Sequence, residues 1–217
     1  MSRCDRKAVA TPMDRGGPAT GFFIVVSAPS GTGKTSICRE FMRLCPDVSF
    51  SVSHTTRLPR PGEREGVDYH FISEASFREQ IRQGAFAEWT ENYGHLYGTS
   101  VHSMRHFIER GCNLLLDLEP GGAGALKKNY PGGVFVFILP PSIDDLRQRL
   151  SKRGETPEVI RKRLHKVMDE IKEVIWYDYV IINDSFDHAV DCLRSIYVAE
   201  MSRRERLAGR LQPFLAD

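Results

Sequence analysis

No stretch of this chain is apolar for long enough to cross a bilayer. The longest uninterrupted apolar run is Val134 to Leu139, far below the roughly 20 residues that a membrane-spanning helix needs. Nor is there an excess of one charge: 30 basic and 28 acidic residues leave a net +2. That is too little for a global field drawing the chain onto nucleic acid or an anionic membrane, so any basic function is local. Cysteine is sparse and unpatterned. Cys4, Cys38, Cys45, Cys112 and Cys192 give no C-x-x-C and no metal-ligand spacing, and read as reduced apolar fillers of a cytoplasmic protein. Residues 1–20 lack the apolar core of a secretory signal, and their basic residues and Gly16-Gly17-Pro18 read as a disordered leader. Internal repeats and low-complexity tracts are absent as well. At 217 residues the chain fits one α/β domain with some excursions.

What is present begins with Phe22-Phe23-Ile24-Val25-Val26. Five apolar residues without polar alternation fit a parallel strand covered on both faces. Ser27-Ala28-Pro29-Ser30-Gly31-Thr32-Gly33-Lys34-Thr35-Ser36 follows at once and reads as a phosphate-binding loop opening a helix. Gly31 and Gly33 bring backbone N–H groups close to phosphate oxygens at the positive end of that helix. Lys34 is placed to reach the β- and γ-phosphates, and the Thr35 hydroxyl to ligate Mg²⁺. In the G-x-x-x-x-G-K-[ST] pattern the first glycine falls on Ala28. An alanine serves there if its backbone angles are ordinary, which the rigid Pro29 favours.

Further along, a half-exposed strand is expected at Val48 to Val52, then irregular or short antiparallel surface structure from His54 to Phe71. A helix capped by Ser73 should run to about Gly84, followed by β pieces at Phe86 to Thr90 and His95 to Thr99. A helix from Ser100 to Glu109 precedes Asn113 to Asp117, a buried strand ending in a carboxylate, as a Walker B element does. Val134 to Leu139 is a core strand. A charged helical stretch from Asp144 to Trp176 breaks near Gly154 and Pro157. Tyr179 to Ile182 is the last strand, and Phe186 to Arg206 a C-terminal helix.

A phosphate loop and Asp117 imply a nucleoside triphosphate with Mg²⁺; the second substrate must be read elsewhere. Thr55-Thr56-Arg57-Leu58-Pro59-Arg60 sets two guanidinium groups three residues apart around a proline. That suits a small dianion such as a nucleoside monophosphate, with Tyr69 and Tyr97 as neutral O–H donors.

With Glu63, Gly66, Tyr69 and Phe71, these residues reproduce the signature spacing of the guanylate kinase family, which the chain resembles from about 22 to 200. The likeness continues through Phe86-Ala87-Glu88-Trp89, Tyr97-Gly98-Thr99, Pro140-Pro141-Ser142, Arg153-Gly154 and Ile182-Asn183-Asp184. The resemblance implies a P-loop three-layer αβα fold with a parallel core sheet, a GMP-binding α+β insert and a helical lid. Its expected divisions are a leader at 1–20 and a kinase domain at 21–206, with core 21–53, 99–141 and 171–206, insert 54–98 and lid 142–170. A tail follows at 207–217.

The implied reaction is transfer of the γ-phosphoryl group of ATP to GMP, with Mg²⁺ bound through Thr35 and, through water, Asp117. Residues 28–36 and Asn183 would bind ATP, and Lys34, Arg149, Arg153 and Arg163 would neutralise the transferring group. Arg57, Arg60, Tyr69 and Tyr97 match positions that hold the GMP phosphate. Ser53, Glu88, Thr99 and Glu119 match those that read guanine, whose adjacent N1–H and N2–H₂ donors a carboxylate accepts together. Taken singly, Glu88 also fits a surface glutamate, each lid arginine a solvated face, and Asn183 a turn. Partners are small molecules, ATP and GMP with dGMP as a candidate; nucleic acid and membrane are not expected, and monomer or homo-oligomer is left open. Two departures stand out: Glu119 replaces the family's usual aspartate, and Gly121 its usual glutamine. Rival readings are a non-catalytic guanylate-kinase-like binding module and a kinase for another phosphorylated acceptor, such as a ribose bisphosphate.

Overall fold

The structure, a computed structural model, describes residues 21–92, 94–152 and 156–215. Its central strand is the apolar run that opens the chain. Strand β1 (Phe23–Ser27) is buried at every position because it lies in the middle of a five-stranded parallel sheet ordered β2-β7-β1-β8-β9. The others are β2 (Val48–Phe50), β7 (Asn113–Asp117), β8 (Val134–Leu139) and β9 (Tyr179–Ile182).

Alternating side chains of this run feed two cores, one on each face. Phe22, Ile24 and Val26 pack with Ile37 and Phe41 of α1 (Lys34–Leu44) and with Leu193 and Tyr197 of α7 (Phe186–Met201). Phe23 and Val25 pack on the other face with Met104 of α3 (Val101–Glu109) and with Ala123 and Leu126 of α4 (Pro120–Asn129). Each fully buried Phe or Leu contributes about 1.5–3 kcal/mol. Helices on both faces of a parallel sheet make the expected three-layer αβα architecture.

A second, four-stranded sheet, ordered β4-β3-β6-β5, carries the insert. It comprises β3 (His54–Thr55), β4 (His70–Phe71), β5 (Phe86–Asn92) and β6 (His95–Ser100). Helix α2 (Glu74–Arg82) is capped by Ser73, whose hydroxyl accepts from the Ser76 amide, and it anchors to the sheet by Phe77 stacked on Phe86 with ring centroids 4.4 Å apart. The expectation for 54–71 is corrected in one respect. The two-residue strands β3 and β4 pair parallel, whereas β3 with β6 and β5 with β6 are antiparallel. The loop between β3 and β4 is long enough to return the chain in the same direction.

The charged stretch forms α5 (Ile143–Lys152) and α6 (Pro157–Lys172), joined over a small core of Leu146, Leu150, Ile160 and Val167. The C-terminal helix stops at Met201 rather than Arg206. The chain turns there, bringing Arg206 to 3.1 Å from buried Glu200 and its guanidinium to 3.9 Å from the Phe22 ring centre, before α8 (Ala208–Leu215). Cys38, Cys45 and Cys192 are free thiols, as expected, whereas Cys112 is disulfide-bonded. No helix among the described residues is long and apolar enough to cross a membrane.

Candidate active site

The phosphate loop is a turn held from both sides. Ala28 is buried in the core beneath it, so the site of the missing glycine is filled by packing. The Thr32 amide and hydroxyl both donate to the Pro29 carbonyl, at 3.3 and 2.9 Å. Gly31 and Gly33 have φ of 94° and 95°, a region that L side chains rarely adopt. A Cβ on Gly31 would also lie 2.9 Å from Leu146 of α5, so the bare backbone lets the lid helix rest on the loop. Asn183, at the end of β9, donates from Nδ2 to the Thr32 carbonyl at 2.6 Å. Arg149 donates to the Thr32 and Asn183 carbonyls at 3.3 and 3.4 Å. The first turn of α1 carries no acidic residue, leaving its positive end available to an anion.

Strand register sets the charged pair. Asp117 ends β7 opposite Val26 of β1, and its carboxylate pairs with Lys34 Nζ, which also donates to the Leu118 carbonyl at 3.2 Å. Burial by itself would lower the Lys34 ammonium; Asp117 outweighs it, and the net shift is upward. The Lys34 ammonium is therefore charged at neutral pH. Thr35 is exposed in the first turn.

The insert brings its own polar cluster to this loop, with Tyr69 within electrostatic reach of Asp117 and Lys34. The two arginines of the insert differ in their surroundings. The end-on fork of Arg57 is taken by Glu63, through two bonds of 2.9 Å, and Nη1 also donates to the Leu58 carbonyl at 2.7 Å. Glu63 accepts the Arg60 amide as well, at 2.7 Å. What Arg57 still presents is its side edge, where Nε is buried without a partner and Tyr97 is itself a hydrogen-bond partner of the guanidinium. An orphaned buried donor costs about 1–3 kcal/mol until an acceptor arrives, so this edge is primed for an anionic oxygen. The Arg57 guanidinium sits 5.3 Å from the Tyr69 ring centre, and the Tyr69 and Tyr97 rings are 5.9 Å apart. Arg60 is exposed.

Glu88 is buried on β5 opposite Thr99 of β6. The Thr99 hydroxyl donates to Glu88 Oε1 at 2.6 Å. Burial raises the carboxyl and the Thr99 bonds offset part of that, leaving it at about 7. Its other oxygen faces Gly122 in the first turn of α4, where a Cβ would lie only 2.6 Å away. Gly122→Ala must therefore displace the carboxylate. A misplacement near 1 Å costs about 10²-fold in a positioned site, and the expected result is a comparable loss in kcat/KM for the acceptor with KM for the donor nucleotide unchanged.

Ser53 lies between β2 and β3, half-buried, its carbonyl accepting the His70 amide at 2.9 Å. Glu119 precedes α4, and its carboxylate accepts from Asn92 Nδ2 at 2.5 Å and lies 3.5 Å from Lys166 Nζ. Arg163 lies on α6; Arg153 lies outside the described residues. The sequence reading missed the active part of Glu63, although its spacing was visible. It had no signal for Asn92, Gly122 or Lys166.

A lysine-bearing loop closing a parallel strand, a carboxylate on the adjacent strand and a polar insert beside them define a P-loop phosphotransferase. The guanylate kinase family model matches residues 21–200. A guanylate kinase of Syntrophus aciditrophicus is 58% identical over 200 residues, 92% of this chain and 97% of that protein. One from Syntrophotalea carbinolica is 47% identical over 195 residues, 88% and 93%. The crystal structure of guanylate kinase from Anaplasma phagocytophilum superposes with a TM-score of 0.70 at 29% identity, covering 89% of this chain and 96% of that one. The chain belongs to the guanylate kinase family.

Proposed function

We infer that this chain is an ATP:GMP phosphotransferase, moving the γ-phosphoryl group of ATP to GMP to give ADP and GDP. Family membership supports the reaction, and one observation supports the acceptor: a buried carboxylate, Glu88, has Oε1 held by the Thr99 hydroxyl and Oε2 turned towards the first turn of α4. As a carboxylate it accepts guanine N1–H and N2–H₂ together. Adenine offers a lone pair at N1 and no N2 amine, and would leave it unpaired, the kind of mismatch that rejects an analogue by about 10⁴-fold.

The nucleophile is an oxygen of the GMP phosphate, already anionic, so no side chain need remove a proton. Catalysis consists of in-line positioning and charge neutralisation. The side edge of Arg57, oriented by Glu63, takes the GMP phosphate with Arg60, Tyr69 and Tyr97. Ser53 and Thr99 line the base. Lys34 leaves Asp117 for the β- and γ-phosphates as ATP enters residues 28–36. Arg149 begins hydrogen-bonded to the loop, one side-chain movement from the transferring group, and Arg153 and Arg163 complete the cationic lid. Mg²⁺ fits the donor set: the Thr35 hydroxyl and Asp117 carboxylate are hard oxygens, and this ion takes few protein ligands beside phosphates and water. When bound it neutralises charge on the β- and γ-phosphates. The insert at 54–98 and the lid at 142–170 close over the core to keep water from ATP.

The test is ADP formation with ATP and Mg²⁺, offering GMP, dGMP, AMP, CMP, UMP and ribose bisphosphate in parallel. Strong GMP preference is expected. Turnover with another acceptor alone overturns the substrate, and a folded protein silent with all of them overturns the enzyme in favour of a binding module.

A further inference from the structure

Three side chains from three parts of the chain meet at one point. Asn92 ends β5 in the insert, Glu119 precedes α4 in the core, and Lys166 sits on α6 in the helical arm. Asn92 Nδ2 donates to Glu119 Oε1 at 2.5 Å, Lys166 Nζ donates to Asn92 Oδ1 at 3.1 Å, and the same ammonium lies 3.5 Å from Glu119 Oε2. The amide thus gives its donor to the acid and its acceptor to the amine. Glu170, one turn along α6, adds a second carboxylate 3.5 Å from Lys166.

Backbone geometry lets the ring close. Gly121 has only Thr90 Oγ1 near its missing Cβ, at 3.9 Å, and Gly122 has Glu88, so β5 lies directly on the glycine-bearing turn of α4. Asn92 is thereby brought beside Glu119, and the long glutamate side chain spans to it. Lys166 and Glu119 are 42% and 44% exposed, so the contacts can break and re-form in each turnover.

We propose that Lys166, Asn92 and Glu119 form a clasp tying the helical lid to the acceptor insert, with Lys166 a positioning residue that couples closure over ATP to closure over GMP. Glu119 serves this clasp instead of reading the base. The clasp rests on GMP being the acceptor, which wild-type turnover tests separately; were another acceptor used, the same cycle would be run with it.

The experiment is a double-mutant cycle of Lys166→Ala and Glu119→Gln, with Asn92→Ala and Lys166→Arg alongside, read as kcat and KM for ATP, GMP and IMP. IMP lacks the N2 amine, so the GMP:IMP preference reports base reading alone. Each of Lys166→Ala, Asn92→Ala and Glu119→Gln should raise KM for both ATP and GMP by about threefold to tenfold. The double variant should be no worse than the weaker single, Lys166→Arg should restore function, and the GMP:IMP preference should hold throughout. Additive effects would overturn the clasp. So would a collapse of the GMP:IMP preference in Glu119→Gln while Lys166→Ala behaves as wild type.

Discussion

Replacing Lys34 with Ala is expected to lower kcat by about 10³-fold, with the fold intact. Removing one preorganised donor from developing negative charge typically costs about 10²–10³; Lys34 carries a full charge, which places it at the upper end. The ammonium lies where β7 and the phosphate loop converge, held by Asp117 and the Leu118 carbonyl, so no neighbouring lysine substitutes. The cost to stability is small by comparison. Asp117 loses its partner, but its side chain is 24% exposed and water can solvate the carboxylate. The check is steady-state ADP formation beside thermal unfolding. Turnover within a few-fold of wild type, at an unchanged melting temperature, would remove Lys34 from the mechanism.

How far this site could be read from the sequence depended on how local each feature is. The phosphate loop was legible because strand, turn and helix are consecutive, and an apolar run buried on both faces needs no partner named in advance. Asp117 was legible because a hydrophobic strand ending in a carboxylate has a fixed place beside β1. The β3–β4 pair was not: strands of two residues show no alternation, so nothing in the sequence distinguishes parallel from antiparallel. Arg57 was expected to hold a phosphate, but its spacing does not show that Glu63 takes the end-on fork and leaves Nε buried without a partner. Arg149 was expected to face phosphate, but nothing in its spacing showed the bonds it gives to the Thr32 and Asn183 carbonyls. The cluster of Asn92, Glu119 and Lys166 was invisible, since 27 and 74 residues separate Asn92 from its two partners and none carries a local pattern.

The other large effect is one of pH, and its sign follows from Glu88. Burial holds this carboxyl at about 7 in the empty pocket, against an ordinary value of 4.5. GMP requires the ionised form, because a protonated carboxyl would set its O–H against the guanine donors. Affinity for GMP should therefore be nearly full above about pH 8 and fall about tenfold for each pH unit below 7. In the free protein the sign is opposite: a carboxyl raised by burial adds stability that is present below pH 4.5 and lost as pH rises through 7, so GMP binding and stability pull on this proton in opposite directions. The phosphate of GMP titrates near 6, and the control is Glu88→Gln. An amide offers one acceptor where the guanine edge needs two, so KM for GMP should rise by about 10²–10³, and the step near 7 should vanish while that near 6 persists. The measurement is KM for GMP from about pH 5.5 to about 8.5 at saturating ATP. A wild-type profile showing only the phosphate step would mean that guanine is read by some group other than Glu88.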